Sequence, residues 1–210
     1  ALPENLVLKV VSEIHDPVTT TDELIPSGET SSYRSNPLRL AEFTLSRRDP
    51  DYVNEAKKVK EMDWENEEVK HVYALLENSG ITVDPDTNIA SSIYAYKPGD
   101  GSAREQAASC QKVLGGWANI ANEYATKRYR SNLINWGMLP FLIPEGDLPF
   151  ANGDYLFIPD VRKAVEEKWD SITAYKVGEE LTPFTLTLGE LTDDEREIIL
   201  KGCLINYNRG

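Results

Sequence analysis

The stretch 99–105, Gly-Asp-Gly-Ser-Ala-Arg-Glu, combines residue types that could bind an anion. It follows an alternating run over 92–96 that predicts a strand, and small or apolar residues at helical spacing follow Ser102. Backbone N–H groups at the start of a helix carry partial positive charge, and Arg104 adds a planar guanidinium that suits a carboxylate. The spacing therefore predicts a loop that opens a helix at Ser102 and binds an anionic ligand.

A purely structural interpretation fits the same residues. Ser102 to Glu105 reads Ser-x-x-Glu, the capping box, in which the serine only caps the helix. Glycines before a helix are also common in ordinary turns. A dinucleotide site is disfavoured because Arg104 stands where the G-x-G-x-x-G fingerprint has its third glycine. Anion binding and plain capping both remain open on these residues.

Length, composition and charge limit the function classes. The chain has 210 residues, of which 40% are hydrophobic, so it can bury a good globular core. Its formal net charge of −13 repels phosphate backbones, which disfavours nucleic acid as a partner. A small anionic substrate is still compatible with this charge, because local arginines can dominate the field of a pocket.

The two cysteines, Cys110 and Cys203, show no zinc-ligand spacing and are predicted to be buried free thiols. Their scarcity fits a reducing cytoplasm, which is the predicted location. The sequence has no run long enough for a transmembrane helix and no visible signal peptide, so no membrane partner is expected. Neither histidine suggests a metal site: His71 lies in a charged helical run, and His15 has no visible partner.

The elements that must position the central stretch are short strands interleaved with helices, which predicts an α/β fold with a mixed sheet. The segment 49–78 lacks Gly and Pro and carries a helical apolar stripe, so one long helix or two shorter ones are expected there. Apolar or alternating runs predict strands at 6–11, 92–96, 117–121, 141–143, 155–158, 172–177 and 184–188.

Several motifs, in the right order, resemble the C-terminal swivel domain of the aconitase family of hydro-lyases, in particular its bacterial aconitase-like hydratases. Residues 99–108 are similar to the family's G-x-G-S-S-R-E-H-A-A, and 114–116 match the L-G-G that follows. Residues 131–140 are similar to T-N-L…G-L-L-P, and 20–28 to T-T-D-H-I-S-x-A-G.

The resemblance implies an aconitase-type swivelling β/β/α domain with a mixed sheet and a helical insertion. It implies that residues 1–210 are a single C-terminal domain of a larger aconitase-like hydratase. The mainly helical segment at about 49–78 has no convincing counterpart among the family motifs.

The resemblance also implies roles for particular residues. Ser102 matches the catalytic base, which removes a proton from the carbon next to a carboxylate. Arg104 matches an arginine that binds substrate and supports that serine, and Arg34 is the best match to a second substrate arginine. Asp22 matches an active-site aspartate that partners an acid-base group from another domain. Ala103 stands in the substrate-binding segment where the family has a second serine, so one hydroxyl donor is lost.

The implied chemistry agrees with the residue types. A serine hydroxyl is a poor base unless its alkoxide is stabilised, and a helix start with an adjacent guanidinium provides that stabilisation. Gln106 and Glu23 stand where the family has histidines. These two departures argue against citrate–isocitrate chemistry more than they argue against the fold. These departures leave two alternatives open, a related hydroxy-acid substrate and a loss of activity.

The resemblance places a 4Fe-4S cluster on other domains, with none bound by this chain. The implied partners are the remaining aconitase-like domains, on the same chain or on a partner subunit, and a small carboxylate substrate. The predicted function is the substrate-binding and catalytic-base domain of a hydratase acting on a hydroxy di- or tricarboxylic acid, inactive without the cluster-bearing domains. The alternative is a non-catalytic module that binds carboxylates or contacts other domains.

Overall fold

A computed structural model describes residues 2–26, 36–83, 87–101 and 105–209. Helices and strands alternate along these ranges. The strands are β1 (Leu6–Ile14), β2 (Thr19–Thr20), β3 (Asn88–Ala95), β4 (Pro98–Asp100), β5 (Gly116–Ala121), β6 (Leu139–Leu142), β7 (Tyr155–Ile158), β8 (Ile172–Lys176) and β9 (Thr182–Leu186). The helices are α1 (Thr21–Leu24), α2 (Pro37–Ala41), α3 (Tyr52–Lys60), α4 (Glu67–Asn78), α5 (Glu105–Val113), α6 (Lys127–Asn135), α7 (Val161–Glu166), α8 (Asp193–Lys201) and α9 (Leu204–Asn208).

Seven strands form one mixed sheet in the order β6-β5-β3-β1-β7-β8-β9. The strands from β6 to β1 run parallel, and β7, β8 and β9 are added antiparallel. The central strand β1 is largely buried on both faces, as its run of Leu and Val predicts for a strand inside a parallel sheet. Leu142 and Thr187 exchange backbone hydrogen bonds of 2.7 and 2.9 Å, which join the two sheet edges and curl the sheet towards a barrel.

Side chains on the two faces of β1 pack into different apolar clusters. Leu6, Leu8 and Val10 enter a cluster inside the curled sheet, which α7 and α8 also complete. Val11 and Ile14 pack into a second cluster with α1, α2, α3, α5 and α6. This second cluster positions the elements around the 99–105 stretch.

The predicted α/β class with a mixed sheet is confirmed. The segment 49–78 contains two helices, α3 and α4, and the second begins where Asn66 Oδ1 accepts hydrogen bonds from the backbone N–H groups of Glu68 and Val69. Cys110 is buried as predicted, but the prediction for Cys203 is wrong: it lies near the chain end at the start of α9 and is partly exposed. Within the described ranges, no helix is long and apolar enough to cross a membrane.

Candidate functional site

A small second sheet brings two distant parts of the sequence together. β2 follows β1, β4 follows β3, and the two short strands pair in parallel, with Thr20 opposite Asp100. The backbone N–H of Thr19 also donates to the carbonyl oxygen of Lys97 at 2.9 Å. Because β1 and β3 are adjacent parallel strands, the segments that leave their carboxyl ends meet at one edge of the main sheet, a common place for ligand sites.

The helix α1 carries Asp22 at this edge. Thr20 Oγ1 accepts a hydrogen bond of 3.1 Å from the N–H of Glu23, and the Glu23 carboxylate accepts one of 3.4 Å from the N–H of Thr20. This reciprocal capping box sets the direction of α1 and uses Glu23, the residue that replaces a family histidine. The Thr-x-x-Glu spacing of residues 20–23 is the sequence signal for this cap, which is absent from the predictions above.

The two glycines of the central stretch have different surroundings. Gly99 has a φ of +101°, and a Cβ there would lie 2.4 Å from Cγ of Tyr129. Gly101 has a φ of +102°, and a Cβ there would lie 3.4 Å from Oγ1 of Thr21. Gly101, the residue before Ser102, therefore lies against Thr21, the residue before Asp22.

The buried side chains of Gln111, Asn119 and Tyr129 form a hydrogen-bonded triad next to Gly99 of this loop. The Tyr129 hydroxyl accepts from Gln111 Nε2 at 2.9 Å and donates to Asn119 Oδ1 at 2.6 Å, and Asn119 Nδ2 donates to Gln111 Oε1 at 2.6 Å. The triad links α5, β5 and α6, and burial holds the pKa of Tyr129 well above its usual value, so its hydroxyl keeps the proton that it donates. Thr126 Oγ1 also donates to the carbonyl oxygen of Gly99 at 3.1 Å. Thr126 and the Tyr129 ring therefore contact β4 at Gly99, and Gln111 and Asn119 hold Tyr129 in place.

Of the residues with predicted roles, Asp22 lies within the described ranges. Ser102, Ala103, Arg104 and Arg34 lie outside them, so their roles stay predictions. The described neighbours of 102–104 are Gly101, which contacts α1, and Glu105, where α5 begins.

Two arginines that the sequence analysis did not consider also lie at this edge. Arg47 Nη1 is 3.6 Å from Asp22 Oδ2. Arg48 is hydrogen-bonded to Asp16 and its Nε lies 3.9 Å from Glu23 Oε2. Their sequence signal was weak, since an exposed Arg-Arg pair in a turn gives no indication of which carboxylates the fold brings to it.

His15, for which the sequence shows no partner, has one in the fold. Its Nε2 is hydrogen-bonded to the carboxylate of Glu13, and its ring lies 5.3 Å from that of Tyr94 between centroids. Burial raises the pKa of Glu13, but the contact with His15 and the backbone N–H of Asn152 outweigh burial and hold that pKa below its usual value. The pair lies at the carboxyl end of β1, where residues two apart face the same side of the strand.

The residues present do not fit an iron–sulfur cluster. The chain has two cysteines, fewer than the four thiolates that usually hold a 4Fe-4S cluster. Burial also raises the pKa of Cys110 to about 11, so its thiol stays protonated at neutral pH and is a poor metal ligand. Among residues 2–26, 36–83, 87–101 and 105–209, no group of three His, Cys, Asp or Glu side chains could hold a metal ion.

Comparison with known proteins agrees with this architecture. Residues 52–146 match the family model of the aconitase C-terminal domain. Over this part of the chain, 95 of its 210 residues, the match confirms the family resemblance seen in the motifs. The match begins at Tyr52, so it includes the helical segment for which the motifs gave no counterpart, and it leaves Asp22 and Arg34 outside.

A particular solved structure shares the fold over nearly the whole chain. The crystal structure of 3-isopropylmalate dehydratase from Methanocaldococcus jannaschii is 19% identical, covers 99% of this chain and 94% of its own, and superimposes with a TM-score of 0.56. At this identity the likeness shows the fold. The search of curated proteins finds no significant match.

Proposed function

We propose that this chain is the substrate-binding and catalytic-base domain of an aconitase-like hydro-lyase that acts on a hydroxy di- or tricarboxylic acid. One observation carries the proposal: Gly101 packs against Thr21, so the segments that lead to Ser102 and Asp22 meet at one edge of the sheet. The aconitase C-terminal match supports the reaction class, and the solved dehydratase with the same fold acts in its own case on a hydroxy diacid.

In this proposal Ser102 removes the proton from the carbon next to a substrate carboxylate. The electron pair left on that carbon spreads onto the carboxylate, and the Arg104 guanidinium stabilises the added charge through paired N–H donors. Arg34 binds a second carboxylate, and two fixed carboxylates set which carbon faces the base. Ala103 contributes no hydroxyl, so backbone groups and arginines must hold the substrate here.

Asp22 partners an acid-base group that another domain supplies. Its place in the first turn of α1, with the side chain about half exposed, leaves the carboxylate accessible from outside this chain. The group that accepts the departing hydroxyl also lies outside this chain. We therefore expect the isolated 210-residue chain to be inactive.

The test uses the full-length protein with its cluster-bearing domains, purified without oxygen and with the cluster reconstituted. Hydration of cis-aconitate and of alkyl-substituted maleates is followed for the wild type, for Asp22→Asn and for the exposed, remote control Asp170→Asn. We expect turnover of at least one acid, a decrease of about 10²-fold or more in kcat for Asp22→Asn, and no change for the control. A cluster-loaded wild type that turns over none of these acids would leave the non-catalytic carboxylate-binding module as the better account.

A further inference from the structure

A turn between α2 and α3 is fixed against the candidate site. Leu45 in this turn is fully buried, has a φ of +54°, and donates its backbone N–H to the carbonyl oxygen of Leu24 at the end of α1, at 2.9 Å. Asp49 at the other end accepts a hydrogen bond of 2.7 Å from Ser12 Oγ of β1. The turn therefore presents Arg47 and Arg48 to α1 from a backbone anchored on both sides.

The two arginines have different surroundings. Arg48 bridges Asp16, in the loop after β1, and Glu23, in α1, so it ties two parts of the fold together. Arg47 lies 3.6 Å from Asp22, and the side chains of this pair are 51% and 54% exposed. An ion pair this exposed contributes only about 0–1 kcal/mol to folding. This pair by itself is therefore a weak stability reason for a guanidinium beside this aspartate.

The charge of the chain gives a stronger reason. With a net charge of −13, the protein repels a di- or tricarboxylate at long range, so binding requires positive charge concentrated at the site. Arg47 brings a guanidinium that offsets the charge of Asp22, and its planar fork of five N–H donors has the geometry to engage two carboxylates along different edges. Lysine would offer a point charge without this geometry.

We propose that Arg47 is a substrate-binding residue that holds one carboxylate of the hydroxy acid beside Asp22. This inference rests on the proposed function and names an arginine in addition to Arg34 and Arg104. Arg47 acts by direct contact with the substrate carboxylate, so its loss weakens binding more than it slows the chemical step.

The experiment uses the reconstituted full-length protein and two readouts. The first is calorimetric binding of tricarballylate, a tricarboxylate without a hydroxyl group that cannot be dehydrated. The second is KM and kcat for the acid that the wild type turns over. The variants are Arg47→Ala, Arg47→Lys and the control Lys57→Ala, an exposed cation on α3 that pairs with Glu42.

For Arg47→Ala we expect the Kd for tricarballylate and KM to rise by about tenfold or more, with kcat within about threefold of the wild type. For Arg47→Lys we expect Kd and KM values between those of Arg47→Ala and those of the wild type. For Lys57→Ala we expect the wild-type values. Arg47→Lys keeps the charge at the turn, so it remains informative if Arg47→Ala folds poorly.

The outcomes separate this inference from the proposed function. If Asp22→Asn loses activity but both Arg47 variants bind tricarballylate and substrate like the wild type, the role of Arg47 is overturned and the function stands. If no acid is turned over, the binding readout still decides: a loss confined to the Arg47 variants supports a carboxylate site there. Equal binding of tricarballylate by all variants, or no binding by the wild type, overturns the proposed role of Arg47.

Discussion

At the scale of single residues, Gly99 and Gly101 of the central stretch are required for different physical reasons. The ring of Tyr129 occupies the space where Gly99 would carry a Cβ, so this position is required for close packing as well as for its positive φ. Gly101 meets a hydroxyl oxygen at ordinary contact distance and is required mainly for its backbone conformation. A glycine motif can therefore reflect packing beneath a site as much as ligand binding above it.

Gly99→Ala should destabilise the protein well beyond the cost of its backbone angle. Gly153 is the matched control, because its φ is +95° and a Cβ there meets nothing within 4 Å. Gly153→Ala should lower the free energy of unfolding by about 1–2 kcal/mol, and Gly99→Ala by about 1–3 kcal/mol more, because the Tyr129 ring must move. Urea unfolding of the two variants measures the difference, and equal losses would show that the ring does not restrict this site.

At the scale of elements, α5 connects the central loop to the interior through both of its ends. Its last turn carries Lys112, whose ammonium group lies 3.9 Å from the centroid of the Trp117 ring of β5. Burial lowers the pKa of Lys112 from 10.5 to about 8, despite an opposing effect from nearby Cys203. The folded protein therefore binds fewer protons at Lys112 than the unfolded chain does between these two pH values.

This difference predicts a specific pH dependence of stability. Since the folded pKa is the lower one, the contribution of Lys112 to the free energy of unfolding should rise as pH increases from about 8 towards 10.5, by up to about 3 kcal/mol for a shift of this size. The raised pKa of Cys110 acts in the opposite direction at alkaline pH, so the contribution of Lys112 is taken as the difference between variants. Between pH 7.5 and 9.5, urea unfolding should show the wild type and the exposed control Lys70→Met gaining stability relative to Lys112→Met. A Lys112→Met variant whose stability changes with pH as that of the wild type does would show that this lysine titrates normally.

Patterns confined to one element could be read from the sequence, and contacts between short elements could not. The apolar run of β1 and the helical stripe of α4 predict their elements because burial repeats with the period of the structure. The pairing of β2 with β4 spans only a few residues and depends on where β1 and β3 end, so no local pattern marks it. The approach of Arg47 to Asp22 likewise depends on how a buried leucine anchors a turn.

At the scale of the whole molecule, the curled sheet keeps its apolar interior separate from the edge that carries the candidate site. The larger cluster lies inside the curl, and the second cluster fixes α1, α5 and α6 around the carboxyl ends of β1 and β3. At this edge Arg47 lies beside the half-exposed Asp22, and Arg48 lies beside Asp16 and Glu23. We propose that this edge faces the cluster-bearing domains, whose groups complete the reaction.

The proposed function depends most directly on Ser102 as the base that removes the carbon-bound proton. The measurement is deuterium incorporation from D2O into that carbon, followed by mass spectrometry while the reconstituted full-length protein equilibrates its acid. The Ser102→Ala variant is compared with the exposed control Ser171→Ala. We predict that incorporation falls by about 10²–10⁴-fold in Ser102→Ala and is unchanged in Ser171→Ala, while tricarballylate still binds. Incorporation at the wild-type rate in a folded, cluster-loaded Ser102→Ala variant would contradict it.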